Sequence, residues 1–84
     1  MINSLTPREL QVVRLIVIGY SNTQIAESLC VAFSTAKAHV QSILGKFGVK
    51  NRVQAAVVAA YLLGIQPEEI IEAAKTFDAA EEDS

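Results

Sequence analysis

SNTQIAESLCVAFSTAKAHVQSILGKFGV, residues 21–49, decides how this chain folds. Ser21 followed three positions later by Gln24 is a capping box, which starts a helix. Ile25, Ala26 and Leu29 form its apolar stripe, and Ala26 is small enough to let a crossing helix come close. Cys30 to Phe33 read as a tight turn, with Val31 as the apolar plug into the core. A longer helix then runs to about Phe47, where Gly48 stops it. At about 100° per residue, Ala36, Val40, Ile43, Leu44 and Phe47 gather on one side of this helix. Ser34, Lys37, Ala38, Gln41 and Gly45 gather on the opposite side, with Thr35, His39, Ser42 and Lys46 along one flank. An ordinary solvated face is a mixture of lysine and glutamate. This one is small and hydrogen-bonding, as a surface must be to fit closely against something outside. The pattern is a helix-turn-helix whose second helix is presented outward.

The flanking segments complete an all-α fold. Upstream, Thr6 caps a first helix, Pro7 suits its opening position and Glu9 completes another capping box. Val12, Val13 and Ile16 recur at helical spacing, and Gly19 is a natural stop. Downstream, Asn51 caps a fourth helix, with Gln54 three positions on. From Val53 to Leu63 nearly every residue is apolar, so one side of this helix meets the core and the other needs a partner. Gly64 ends it. Pro67 opens a fifth helix, from about Glu68 to Phe77, with Ile70, Ile71, Ala74 and Phe77 as its apolar positions. Residues 79–84 are expected to be frayed. The organisation expected is one domain over residues 1–66, followed by an acidic C-terminal helix and tail over 67–84.

Composition sets limits on function. Eighty-four residues with 51% hydrophobic and 19% charged side chains suit one small globular domain. The net charge of −2 hides an asymmetry. Residues 1–66 carry six basic and two acidic side chains, a net of +4, whereas residues 67–84 carry one basic and seven acidic, a net of −6. A basic body with an acidic end is compatible with a polyanionic partner. No apolar run reaches the length of a membrane span and no cleavable leader pattern is present, so a cytoplasmic location is expected. The lone Cys30 leaves no internal disulfide and no cysteine-based zinc cluster. We find no catalytic triad, phosphate-cradling glycine loop or metal-ligand spacing, so neither enzymatic activity nor a cofactor is expected.

Leu5-Thr-Pro-Arg-Glu9, Gly19-Tyr-Ser-Asn22, Ile25-Ala26, Leu29, Thr35-Ala-Lys-Ala-His39, Ile43-Leu44, Gly48-Val49 and Asn51-Arg52 together resemble the LuxR-type DNA-binding domain. The resemblance runs from about Leu5 to Leu63, with its pieces in order and at the expected spacing. It implies a four-helix domain whose second and third helices form the helix-turn-helix, and a bacterial transcription regulator that binds double-stranded DNA as a homodimer through its fourth helix. Carried over by position, Lys37, Ala38 and Gln41 face the bases, while Asn22, Ser34, Thr35, His39, Lys46 and Lys50 are candidates for the DNA backbone. Ala55, Val58, Ala59 and Leu62 are expected at the dimer contact. Lysine can donate to guanine, glutamine can pair with adenine, and an alanine methyl can meet a thymine methyl.

The chain also departs from the family pattern. Ala32 and Phe33 stand where a capping hydroxyl is usual, so the cap shifts to Ser34 or the helix start is weak. Thr23 and Gln41 replace lysine or other strongly polar groups, and Gly45 replaces a long, often basic residue. Leu10, Val17 and Ile18 are apolar where the family is commonly small or polar, which suggests a patch under the C-terminal helix. The family's usual sensory module is not apparent. Met1 just ahead of the first helix favours a stand-alone regulator over a fragment of a response regulator. The main expectation is a sequence-specific DNA-binding regulator. The alternative is an anti-regulator that pairs with or masks another transcription regulator. Cys30 is an inert turn residue or, on the sharper reading, a redox-responsive thiol.

Overall fold

Side-chain caps open three of the helices where local sequence places them. Thr6 Oγ1 accepts from the Glu9 N–H at 3.0 Å while Glu9 Oε1 accepts from the Thr6 N–H at 3.0 Å. Ser21 and Gln24 make the same reciprocal pair at 3.2 and 2.7 Å, and Asn51 Oδ1 accepts from the Gln54 N–H at 2.9 Å. The computed structural model describes residues 4–76. Its helices are α1 (Pro7–Val17), α2 (Asn22–Leu29), α3 (Phe33–Phe47), α4 (Arg52–Leu63) and α5 (Pro67–Thr76). The fold is all-α. Phe77 and the expected frayed tail, 79–84, lie outside the described residues.

Helix ends share one backbone device. The Tyr20, Val31, Val49 and Ile65 N–H groups donate to the carbonyls of Leu15, Ala26, Leu44 and Ala60, at 3.0 to 3.1 Å. Each bond reaches back five residues across a residue with positive φ, which is the Schellman closure. At the end of α3 that residue is Gly48, with φ 70°. At the end of α2 it is Cys30, with φ 57°. An L-residue there costs roughly 1 kcal/mol, because its Cβ crowds the following carbonyl. The residue after each closure is half-buried and packs against the core, so the device also aims the chain inward.

The core joins four helices. Val12, Val13 and Ile16 of α1, Ile25 and Ala26 of α2, Ala36, Val40, Ile43 and Phe47 of α3, and Ala55 and Ala59 of α4 are buried together. Burial of each large aliphatic side chain contributes about 1.5–3 kcal/mol. α1 packs against α3 and α4, and α2 packs against α3. Val17 joins this core, while Leu10 and Ile18 are only half-buried. The expectation for the C-terminal helix is met in part: Ile70 of α5 shares an apolar groove of about 540 Å³ with Ile16 and Val17 of α1 and with Val53, Ala56, Val57 and Ala60 of α4.

The α2–α3 turn differs from the sequence reading by one residue. Phe33 is the first residue of α3 and not the last of the turn. The N-cap is Ala32, and no side chain bonds the first-turn N–H groups. The cap therefore does not move to Ser34, and the weak start is the outcome. Ala32→Ser is expected to stabilise the domain by about 1 kcal/mol. In a thermal melt followed by circular dichroism this raises Tm by about 4–8 °C. An unchanged melt would show that the bare helix start carries no cost.

Candidate nucleic-acid interface

α3 is held in place by one buried carboxylate. Glu9, in the first turn of α1, is 5% exposed. Its Oε1 accepts from Lys46 Nζ at 2.6 Å and its Oε2 from Ser42 Oγ at 2.6 Å, both across from α3. Lys46 Nζ also donates to the Ser4 carbonyl at 2.8 Å. These donors, with the Thr6 N–H, hold the Glu9 carboxyl well below the usual range, at about 2. The Lys46 hydrogen bond is the largest cause, followed by Ser42 and the Thr6 backbone, and together they outweigh the opposing effect of burial. Lys46, expected at the DNA backbone, is an exposed residue whose ammonium pairs with Glu9, so a phosphate there would share it with the carboxylate.

The opposite side of α3 is open. Ser34, Thr35, Lys37, Ala38 and Gln41 are exposed, and His39 is half-buried. A Cβ placed on Gly45 meets nothing within 4 Å, so the helix presents bare backbone there. The three residues expected to face bases thus share one accessible surface. Of the other candidates, Lys50 is exposed in the α3–α4 connection, where its N–H donates to Gln54 Oε1 at 2.8 Å. Asn22 is more constrained. Its Oδ1 accepts from Arg52 Nη1 at 3.1 Å, which leaves the amide NH₂ as its outward donor. Arg52 Nη2 donates to the Tyr20 carbonyl at 2.9 Å, and burial lowers its pKa. This arginine pins the start of α4 to the loop before α2, a structural role that sequence spacing did not single out. The Cys30 thiol is exposed at the turn.

α4 does present an apolar side, but not through all the residues expected. Ala55 and Ala59 are fully buried in the chain's own core and cannot meet a partner. Their small side chains let α4 approach α1 closely. Val58 is half-buried against that core, and Leu62 is 38% exposed. The open ridge is Val53, Val57 and Tyr61, at 70, 67 and 84% exposure. Spacing of four residues places them one above another on the helix.

A tight, backbone-closed turn, a second helix fixed by a carboxylate and a small polar outward face define a helix-turn-helix domain. A model of the family described as bacterial regulatory proteins, luxR family, matches residues 3–59. The chain belongs to this family. Transcriptional regulatory protein LiaR of Bacillus subtilis (strain 168) is 46% identical over 56 residues, which cover 67% of this chain and 26% of LiaR. Nitrate/nitrite response regulator protein NarL of Escherichia coli (strain K12) is 46% identical, with the same coverage of each chain. HTH-type transcriptional regulator MalT of Serratia proteamaculans (strain 568) is 49% identical over 59 residues, which cover 70% of this chain and 6% of MalT. The matched part is therefore a small share of these relatives' length. Among the described residues, no His, Cys, Asp and Glu side chains are grouped to hold a metal ion, and no helix is long and apolar enough to cross a membrane.

The Glu9 network makes a prediction about acid stability. Glu9→Gln keeps the shape, removes the charge and leaves Lys46 without its anion, at a cost of about 2 kcal/mol near neutral pH. Because the Glu9 pKa is lowered from 4.5 to about 2, its contribution is fully present above about 4.5 and is lost as the pH falls towards 2. The stability gap between wild type and Glu9→Gln should therefore close over that window. Urea titrations of both proteins from pH 6 to pH 2 measure it. A gap constant with pH would rule out the ion pair as the source.

Proposed function

We propose that this domain binds double-stranded DNA as a homodimer, with α3 in the major groove of each half-site and α4 setting the spacing between them. The observation that carries the reading is the outward side of α3. Lys37, Ala38 and Gln41 stand exposed on a helix whose other side is buried and whose flank is fixed to α1 through Glu9. A rigid helix with small neighbours can bring one donor and one amide against base edges. Phosphate contacts then set register, through Lys50, Ser34, Thr35, His39 and the Asn22 amide. The relatives' names, transcriptional regulatory protein, response regulator and HTH-type transcriptional regulator, support transcription regulation as the role.

With Lys46 paired to Glu9, Lys37 is the one lysine or arginine on α3 without a carboxylate partner to face a groove. Few phosphates are neutralised per subunit, so salt dependence should be shallow and affinity should depend on pairing two domains. The exposed α4 ridge of Val53, Val57 and Tyr61 supports that pairing. The same economy of charge favours a second reading, in which the α4 ridge pairs with another LuxR-type regulator and masks it. A mixture of this chain with such a regulator would then abolish the regulator's gel shift at low salt.

In a binding titration on a site selected from random duplexes, Lys37→Ala and Gln41→Ala are each expected to weaken specific binding by roughly tenfold, with little change on non-specific DNA. Equal affinity and unchanged sequence preference would remove both residues from the interface. Val57→Glu places a carboxylate on the exposed α4 ridge. Sedimentation should then shift from dimer to monomer while the melting curve stays close to wild type. A dimer that survives this change would move the contact off α4.

A further inference from the structure

We propose that Phe33 reads a thymine methyl group in the bound duplex, as an apolar specificity residue at the leading end of α3. The inference rests on the DNA-binding reading above and adds to it a residue and a base. Phe33 is the first residue of α3 and is 52% exposed. Among the described residues, the other large exposed apolar side chains are Val53, Val57, Tyr61 and Leu62 on α4 and Ile71 on α5. Phe33 stands apart from that group on a different element, so the α4 contact does not explain it.

Its position on the helix does. Phe33, Lys37 and Gln41 are spaced i, i+4, i+8, and all three are exposed. Such residues form one ridge, with steps of about 6 Å along the axis and about 40° around it. Lys37 and Gln41 can address base-edge donors and acceptors. Phe33 continues their row by one turn towards the helix N-terminus, the end that a recognition helix brings closest to base edges. Helical side chains lean towards that end, so the ring projects ahead of the first turn. Its flanking residues, Ala32 and Ser34, are small and exposed and leave the ring accessible.

Chemistry selects the base. The only apolar group on a base edge in the major groove is the C5-methyl of thymine, and an aromatic ring is a suitable surface to cover it. One step of about 6 Å along the ridge corresponds to about two base-pair steps, which sets the expected distance from the pair addressed by Lys37. The row then reads as apolar, cationic and amide in sequence, three chemistries aimed at three different edges.

The test uses the full chain and a duplex selected from random sequence. Each thymine is replaced singly by deoxyuridine, which lacks only the methyl, and affinity is measured for wild type, Phe33→Ala and Phe33→Gln. Glutamine is a good helix former and guards against loss of the helix start. In the wild type, one thymine per half-site should show about a fourfold loss on replacement, the value of burying one methyl group. Both variants should be indifferent to that replacement, yet keep the wild-type response at every other thymine. Uracil profiles identical in wild type and variants would overturn the assignment and leave the DNA-binding reading standing. Failure to select any duplex would overturn both. Unchanged uracil profiles with a lowered sedimentation mass would also overturn it and place Phe33 at a protein contact.

Discussion

The Glu9 carboxylate is the joint on which the arrangement of this domain depends. It sits at the start of α1, almost wholly removed from water, and takes donors from its own cap and from two residues of α3. A buried carboxylate with a missing donor is costly, so its three donors are held together or lost together. Hydrophobic contact alone would let α3 slide or roll against α1 with little change in buried area. Directed bonds at Ser42 and Lys46, four residues apart on one flank, remove that freedom. The core supplies most of the cohesion and the carboxylate supplies the alignment. Arg52 does the same at the other side of the helix-turn-helix, bonding the Tyr20 carbonyl and Asn22 ahead of α2.

What was legible in the sequence was what local spacing controls. Three side-chain caps, the buried row of α3 and its polar opposite each follow from residues within a few positions of one another. What was not legible depended on distant partners or on absent periodicity. Lys46 reads as a free cation until Glu9, 37 positions away, is brought beside it. The inward face of α4 could not be chosen, because a helix apolar all round has no stripe to follow. Ala55 and Ala59 face inward, where their small side chains suit close approach to α1, and the larger Val53, Val57 and Tyr61 are left outside. Phe33 was misplaced for a related reason. A helix without a capping side chain has no marked beginning.

The acidic end is tied to the body through α5. Ile70 enters the groove between α1 and α4, while Ile71 remains outside. Glu69 bonds the Gln66 N–H at 2.8 Å and so helps start the helix, which gives that acid a structural use near the positive end of the helix dipole. The charge asymmetry along the chain thus coincides with a change of element: six of the seven lysines and arginines precede α5, and seven of the nine acids lie from the start of α5 onward.

The turn between α2 and α3 keeps its shape with main-chain bonds and with one side chain, Val31, packed on the core. The side chains of Cys30, Ala32 and Phe33 around it are exposed. Exchange of the Phe33 side chain therefore leaves the core contacts untouched. That separation bears on evolvability: a lineage can revise the leading edge of α3, and with it the target, in single steps that natural selection sees as changes of preference and not as losses of folding.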